Sequence, residues 1–288
     1  MNKSSTTKVK IENYKFKKRL ENTYNSGLTL YYNHSYSQAL EKILKLEKFL
    51  HKNLDFLNLL GSIYLKLGNL ELAKLNFEKA ISINPEHINS IINLSSIFIR
   101  NKHFNEAVHL LEKGYRLDPK HKGIILNYAY SLHENKNVGK AKTVCEKAYE
   151  NNNNSKEINN LLGKILIETQ DLNKAETVLN EAIQIDQNYT EALTNLGHLY
   201  RIRKNYLMAE NYFKKVIDIV KDNPDYLNNL GYISGELKKF DEALQFFQKA
   251  LKLQPNHINT NINLGTLYTN LHNVPFAEKH FNFVLDLD

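Results

Sequence analysis

Six asparagines stand at multiples of one interval: Asn25, Asn93, Asn127, Asn195, Asn229 and Asn263. Leu59 and Leu161 take the two remaining places in the series. A carboxamide donates through its nitrogen and accepts through its oxygen. A column of them at equal spacing could clasp the backbone of an extended peptide independently of its side chains. A mixed aromatic and polar set is expected to share that face: Tyr31, Tyr32, Arg100, Tyr130, His198, Arg201 and Tyr232. Such a lining suits a peptide with apolar anchors.

No other group of residues points to chemistry as clearly. The eleven histidines are scattered, and His87, His121 and His257 close the strings "NPEH", "DPKH" and "QPNH". These read as recurring turn chemistry, not a metal site. No glycine-rich phosphate loop, nucleophile elbow or ligand pair at helical spacing is present. One cysteine, Cys145, permits no internal disulfide and no zinc cage. It stands where other segments carry Phe77, Phe213, Phe247 or Phe281, so a buried core thiol is expected. The reading is non-enzymatic, with no catalytic residue, cofactor or metal.

The interval that spaces the asparagines organises the whole chain. Ala39, Ala73, Ala107, Ala141, Ala175, Ala209, Ala243 and Ala277 recur every 34 residues without a slip. Gly27, Gly61, Gly163, Gly197, Gly231 and Gly265 keep the same spacing, with Ser95 and Ala129 in the two gaps. A fixed period in this range marks stacked helical repeats. The repeats run 20–53, 54–87, 88–121, 122–155, 156–189, 190–223, 224–257 and 258–288, after a basic arm at 1–19. Within each, a first apolar helix pattern of about 13 residues meets a short break such as "LGNL", "NKHF", "TQDL" or "LHNV". A second pattern of about 14 residues follows. Pro85, Pro119 and Pro255 mark stops between repeats. A mid-helix glycine costs roughly 1 kcal/mol against alanine. Its recurrence therefore implies close helix packing that offsets the cost.

The strings "LG…Y…A…F…A…P" at 60–85 and "LG…A…F…A…P" at 230–255 resemble the tetratricopeptide repeat family. The resemblance covers residues 20–288. Local departures are Ser26 and Tyr128 for leucine, Ser234 for an aromatic, Gly114 for alanine, and His51, Asn153, Gln187 and Lys221 for the terminal proline. The resemblance implies an all-α fold, a right-handed superhelix of antiparallel helix pairs. The first helix of each pair would line a concave groove. It also offers another role for the asparagine column, bracing adjoining repeats. The family's chaperone-tail clamp needs a lysine at the fifth place of the repeat. That place holds Tyr24, Asn58, Ile92, Leu126, Asn160, Thr194, Asn228 and Ile262, so no such clamp is expected.

Function is accordingly expected to be a protein-interaction scaffold taking an extended peptide or protein segment in its groove. The alternative is the substrate-recruiting arm of a longer glycosyltransferase or sulfotransferase. The 288 residues carry a net charge of +7, but residues 1–19 hold +6 of it. The body is nearly neutral, so nucleic-acid binding is not expected; the arm reads as a solvating tail, in part helical from Ile11 to Arg19. No apolar run spans a membrane or forms a secretory leader, and a cytoplasmic protein is expected. The tract "YENNNNSKE" at 149–157 is expected to be the softest junction. The last repeat ends at "FNFVLDLD" without a polar capping helix. That implies either a fused C-terminal domain or self-association through this repeat.

Overall fold

The computed structural model describes residues 3–152 and 155–287, with side chains from Tyr14 onward. Asn153 and Asn154, the centre of the asparagine tract, lie outside the described residues. Seventeen helices follow one another, and no strand occurs among the described residues. They are α1 Lys3–Tyr32, α2 Tyr36–Leu44, α3 Glu47–Leu50, α4 Leu54–Lys66, α5 Leu70–Ile83, α6 Ile88–Arg100, α7 Phe104–Leu117, α8 Lys122–Glu134 and α9 Val138–Glu150. Then come α10 Lys156–Glu168, α11 Leu172–Ile185, α12 Thr190–Ile202, α13 Tyr206–Ile219, α14 Pro224–Glu236, α15 Phe240–Leu253, α16 Ile258–Asn270 and α17 Val274–Leu285. The chain forms two units, Met1–Val144 and Cys145–Asp288. Within each, the two helices of a pair pack on one another, as α4 on α5 and α10 on α11, and pairs pack on their neighbours, as α5 on α6 and α11 on α12; the architecture is a tetratricopeptide-type solenoid of helix pairs.

Small side chains set the packing within a pair. A methyl added at Gly61 would meet Phe77 Cε1 at 2.6 Å; at Gly197 it would meet Phe213 at 2.7 Å, and at Gly231 Phe247 at 2.5 Å. Such separations lie well inside carbon–carbon contact distance. The aromatic ring therefore occupies the space a side chain would have filled. Where the small residue is Ser95, the residue sixteen places on is Leu111 and not phenylalanine; both are fully buried. After Ala129 that place holds Cys145, also fully buried, and burial pushes its thiol pKa up to about 12. A thiol held protonated in this way is a poor nucleophile.

Packing between pairs repeats the same chemistry. In the first unit Ala73 and Phe77 of α5 cluster with Leu94 and Ile97 of α6. In the second, Ala209 and Phe213 of α13 cluster with Leu230 and Ile233 of α14, and Ala243 and Phe247 with Leu264 and Leu267. Burying each such ring stabilises by about 1.5–3 kcal/mol. Each of these rings thus packs on the next pair as well as on its own, so the repeats depend on one another.

The break expected inside each pair is a turn built on a left-handed residue. His34, Lys102, Lys136, Gln170, Lys204, Lys238 and His272 take φ of 56–63°, and Gly68 takes 82°. These eight positions are 34 residues apart. In each, the left-handed residue donates three residues back and its successor five back, as Lys102 N to Ile99 O (3.0 Å) and His103 N to Phe98 O (2.8 Å). This is the Schellman closure of a helix C-terminus.

The first pair differs from expectation. Its second helix is not one run of about 14 residues but α2 and the one-turn α3. Leu46, between them, turns into the core at 2% exposure, and Phe49 lies edge-on to Phe16 at 5.2 Å. Phe16 belongs to α1, which begins at Lys3. The basic stretch from Lys3 is thus helix continuous with the first repeat, where a solvating tail helical only from Ile11 to Arg19 was expected.

Candidate functional site

Side-chain caps open several of the first helices of the pairs, among them α4, α8, α14 and α16. Asn53 Oδ1 accepts from Phe56 N at 2.9 Å, and Asn223 Oδ1 from Asp225 N at 2.9 Å, with Pro224 opening α14. His121 and His257 cap α8 and α16 through Nδ1, accepting from Ile124 N and Thr260 N at 3.4 and 3.3 Å. His257 also meets Asp225 Oδ1 (3.0 Å) and Thr260 Oγ1 (2.6 Å). The series Asp225–His257–Thr260 mimics a nucleophile relay, but the Thr260 side chain is fully buried. His121 and His257 are thus helix caps, whereas His87 meets Ser90 Oγ at 2.8 Å and caps no backbone N–H through its side chain.

The asparagine column proves to be coupled to a second column. Asn93 Nδ2 donates to Asn58 Oδ1 at 3.0 Å and to Ser62 Oγ at 3.4 Å. Asn127 Nδ2 donates to Ser96 Oγ at 3.3 Å. In the second unit Asn195 Nδ2 donates to Asn160 Oδ1 at 2.8 Å, and Asn263 Nδ2 to Asn228 Oδ1 at 2.9 Å. The acceptors are fifth- and ninth-place residues of the preceding repeat, whose pairing with the column no local sequence pattern indicates. Asn25 is exposed, and Asn229 breaks the pattern. One repeat before Asn229, Thr194 Oγ1 and His198 Nδ1 are buried without a hydrogen-bond partner. A free, bidentate clasp is therefore narrowed. Four amide nitrogens are committed to bracing, while their Oδ1 atoms have no protein donor among the described residues.

The other predicted face residues separate into groups. In the first unit Tyr31 and Tyr32 line a cleft of about 480 Å³ with Tyr24, Asp55, Asn58 and Asn93. Burial, then Tyr36 and Tyr32, raise the Tyr31 pKa, against a hydrogen bond with Ser62 that lowers it. Tyr130 is exposed, its ring edge-on to Phe104 at 6.3 Å, and Arg100 is exposed. In the second unit Arg201 lies 5.5 Å from the Tyr232 ring centroid, a cation–π contact. Tyr232 borders a small cleft of about 60 Å³ with Glu236 and Asn263. His198 is half-buried. Its ring packs edge-on to Phe213 at 5.3 Å, and burial, then Arg201, lower its pKa to about 4.

Ion pairs join successive second helices: Lys140–Glu112 at 2.9 Å, and, in the second unit, Lys174–Glu146 at 2.6 Å and Lys239–Glu210 at 2.9 Å. At the far end, α17 exposes Val274, Phe276, Phe283 and Leu285, the last at 70%. No helix among the described residues is long and apolar enough to cross a membrane.

Tetratricopeptide repeat profiles match residues 54–87, 98–165, 132–199, 190–223 and 224–257. No curated protein sequence matches. Among solved structures, a chain of the APC/C hetero-tetramer Cut9–Hcn1 superposes with TM-score 0.68 at 18% identity, over 88% of this chain and 50% of that one. The present chain thus spans half the length of that relative. A tetratricopeptide repeat protein from Parabacteroides merdae gives 0.66 at 17% identity, over 81% of this chain and 92% of that one. YrrB, described as a TPR protein with an unusual peptide-binding site, gives 0.51 at 22% identity, over 64% and 95%. At these identities the likeness is one of fold. Together with the 34-residue period and the matched profiles, it leads to one conclusion: this chain belongs to the tetratricopeptide repeat family.

Proposed function

We propose that the chain is a non-enzymatic interaction scaffold, holding an extended peptide or protein segment along the face made by the first helices of its pairs. The observation that carries this reading is the brace geometry. It commits the nitrogens of Asn93, Asn127, Asn195 and Asn263 and leaves four Oδ1 acceptors. Acceptors of this kind suit the backbone N–H groups of a ligand, since those lack partners in an extended segment. The tyrosines and Arg100 beside them would then supply side-chain selectivity. The peptide-binding description of YrrB is in keeping with this reading.

The ligand side offers the test. Peptides selected from a random octapeptide library on the immobilised chain would be N-methylated one amide at a time. Methylation of an amide that meets a column oxygen should weaken binding up to about tenfold, the worth of one neutral hydrogen bond. Equal tolerance at every amide would remove the column from the mechanism. A second contact is favoured by the apolar row on α17. It reads as a docking face for another copy or for a fused domain, and sedimentation velocity across a wide concentration range tests the first of these.

A further inference from the structure

The cleft in the first unit is unlike the rest of the face in its chemistry. Three tyrosines, Tyr24, Tyr31 and Tyr32, line it, and the one charged residue in its lining is Asp55. Tyr31 and Tyr32 meet edge to face at 5.7 Å, and Tyr32 is 69% exposed. Tyr24 and Asp55 line this cleft together, and burial, then the Asp55 carboxylate, raise the Tyr24 phenol above its ordinary pKa. Among the described residues Asp55 has no ion-pair partner. Lys17 and Glu21 border a separate cleft of about 310 Å³ that shares Tyr24 and Asp55 as a wall. Asp55 sits in the first turn of α4, where a carboxylate complements the helix dipole. That accounts for the acid but not for three phenol rings gathered on the same space.

Aromatic faces and a carboxylate around an open volume form a receptor for a cation. The floor adds Asn58 and Asn93, joined by the inter-repeat brace, so the cleft is continuous with the proposed peptide track. We infer that the Tyr24–Tyr31–Tyr32–Asp55 cleft takes a lysine or arginine side chain of the bound segment. The alkyl stem would lie on the rings and the charged head would meet Asp55. This assignment rests on the groove-binding reading and makes it specific: the preferred segment is basic at one position.

Positional pools of acetylated hexapeptide amides provide the test, each with one residue fixed as arginine, citrulline, lysine, leucine or glutamate. Binding would be measured by fluorescence polarisation to the full chain and to its Asp55→Asn and Tyr32→Ala variants. Arginine and lysine pools should bind about five- to tenfold more tightly than the citrulline and leucine pools. The advantage should vanish in Asp55→Asn, shrink in Tyr32→Ala and fall with added salt. Both positions are at the surface, and circular dichroism would verify that the variants fold. Equal binding of arginine and citrulline pools, a preference for glutamate, or a cation preference that survives Asp55→Asn would each overturn the assignment. Binding of the leucine pools without a cationic gain would refute it alone. Absence of binding by any pool would refute the groove reading as well.

Discussion

Gly61→Ala and Gly139→Ala make the same chemical change in two helices, and they are expected to act in opposite directions. The methyl at Gly61 would sit 2.6 Å from Phe77 Cε1 and 2.9 Å from Cδ1 and Cζ. The ring must withdraw by roughly 1 Å to regain ordinary contact. Phe77 is fully buried, so its neighbours must move with it. Overpacking of this kind costs about 1–3 kcal/mol. The gain in helix propensity returns about 1 kcal/mol. The net expectation for Gly61→Ala is a loss of about 1 kcal/mol on these terms. At Gly139 nothing lies within 4 Å of the added methyl. There the propensity gain acts alone, and Gly139→Ala should stabilise by about 0.5–1 kcal/mol.

Urea unfolding followed by far-UV circular dichroism measures both. Subtracting one from the other removes the propensity contribution and leaves the overpacking cost, about 1–3 kcal/mol. A companion set tests the ring directly. The third repeat pairs Ser95 with Leu111, so Gly61→Ser with Phe77→Leu imports a combination the chain already uses. The double variant should be more stable than the sum of its singles by about 1 kcal/mol, as expected for residues in contact. Gly61→Ala as stabilising as Gly139→Ala, or strict additivity of the Gly61→Ser and Phe77→Leu pair, would refute the close-approach argument.

Lys102→Gly should stabilise by about 0.5–1 kcal/mol, because the left-handed turn costs a side-chain-bearing residue about 1–2 kcal/mol and glycine returns part of that in chain entropy. Gly68→Ala, in open space at φ 82°, should lose a similar amount; urea midpoints report both. Thr194→Asn should install the missing brace to Asn229 and add about 0.5–1.5 kcal/mol, a gain that Asn229→Ala must cancel in a double-mutant cycle. His198 has its pKa lowered from 6.5 to about 4, so the unfolded chain binds the proton first as pH falls. Its contribution is complete above the unfolded value and is lost on acidification between about pH 6.5 and 4, at most about 3 kcal/mol. His198→Leu should flatten that slope in unfolding measured across this pH window.

The alanine and glycine series made the architecture legible, because a small side chain is the one local way to let two helices touch at every turn of a repeat. Period, helix pairing and the buried fate of Cys145 follow from residue type at a fixed place; the repeat-closing histidines read as turn chemistry, and that His121 and His257 cap helices through Nδ1 is decided by the fold. The turn at Lys102 and its equivalents was hidden for the opposite reason. Lysine, glutamine and histidine carry no left-handed signature, and the conformation is imposed by the two Schellman hydrogen bonds and the packing of the flanking helices. The asparagine column shows both sides at once. Its spacing stood in the chain, but which atoms it has left for a ligand depends on Asn58, Asn160 and Asn228, about 35 residues away. Likewise Tyr24, Tyr31 and Asp55 are unremarkable apart. The rings of Tyr24, Tyr31 and Tyr32 share α1, but only the stacking of α4 against the first pair brings the Asp55 carboxylate to their cleft, since a receptor for charge is a matter of distance in space and not of order along the chain.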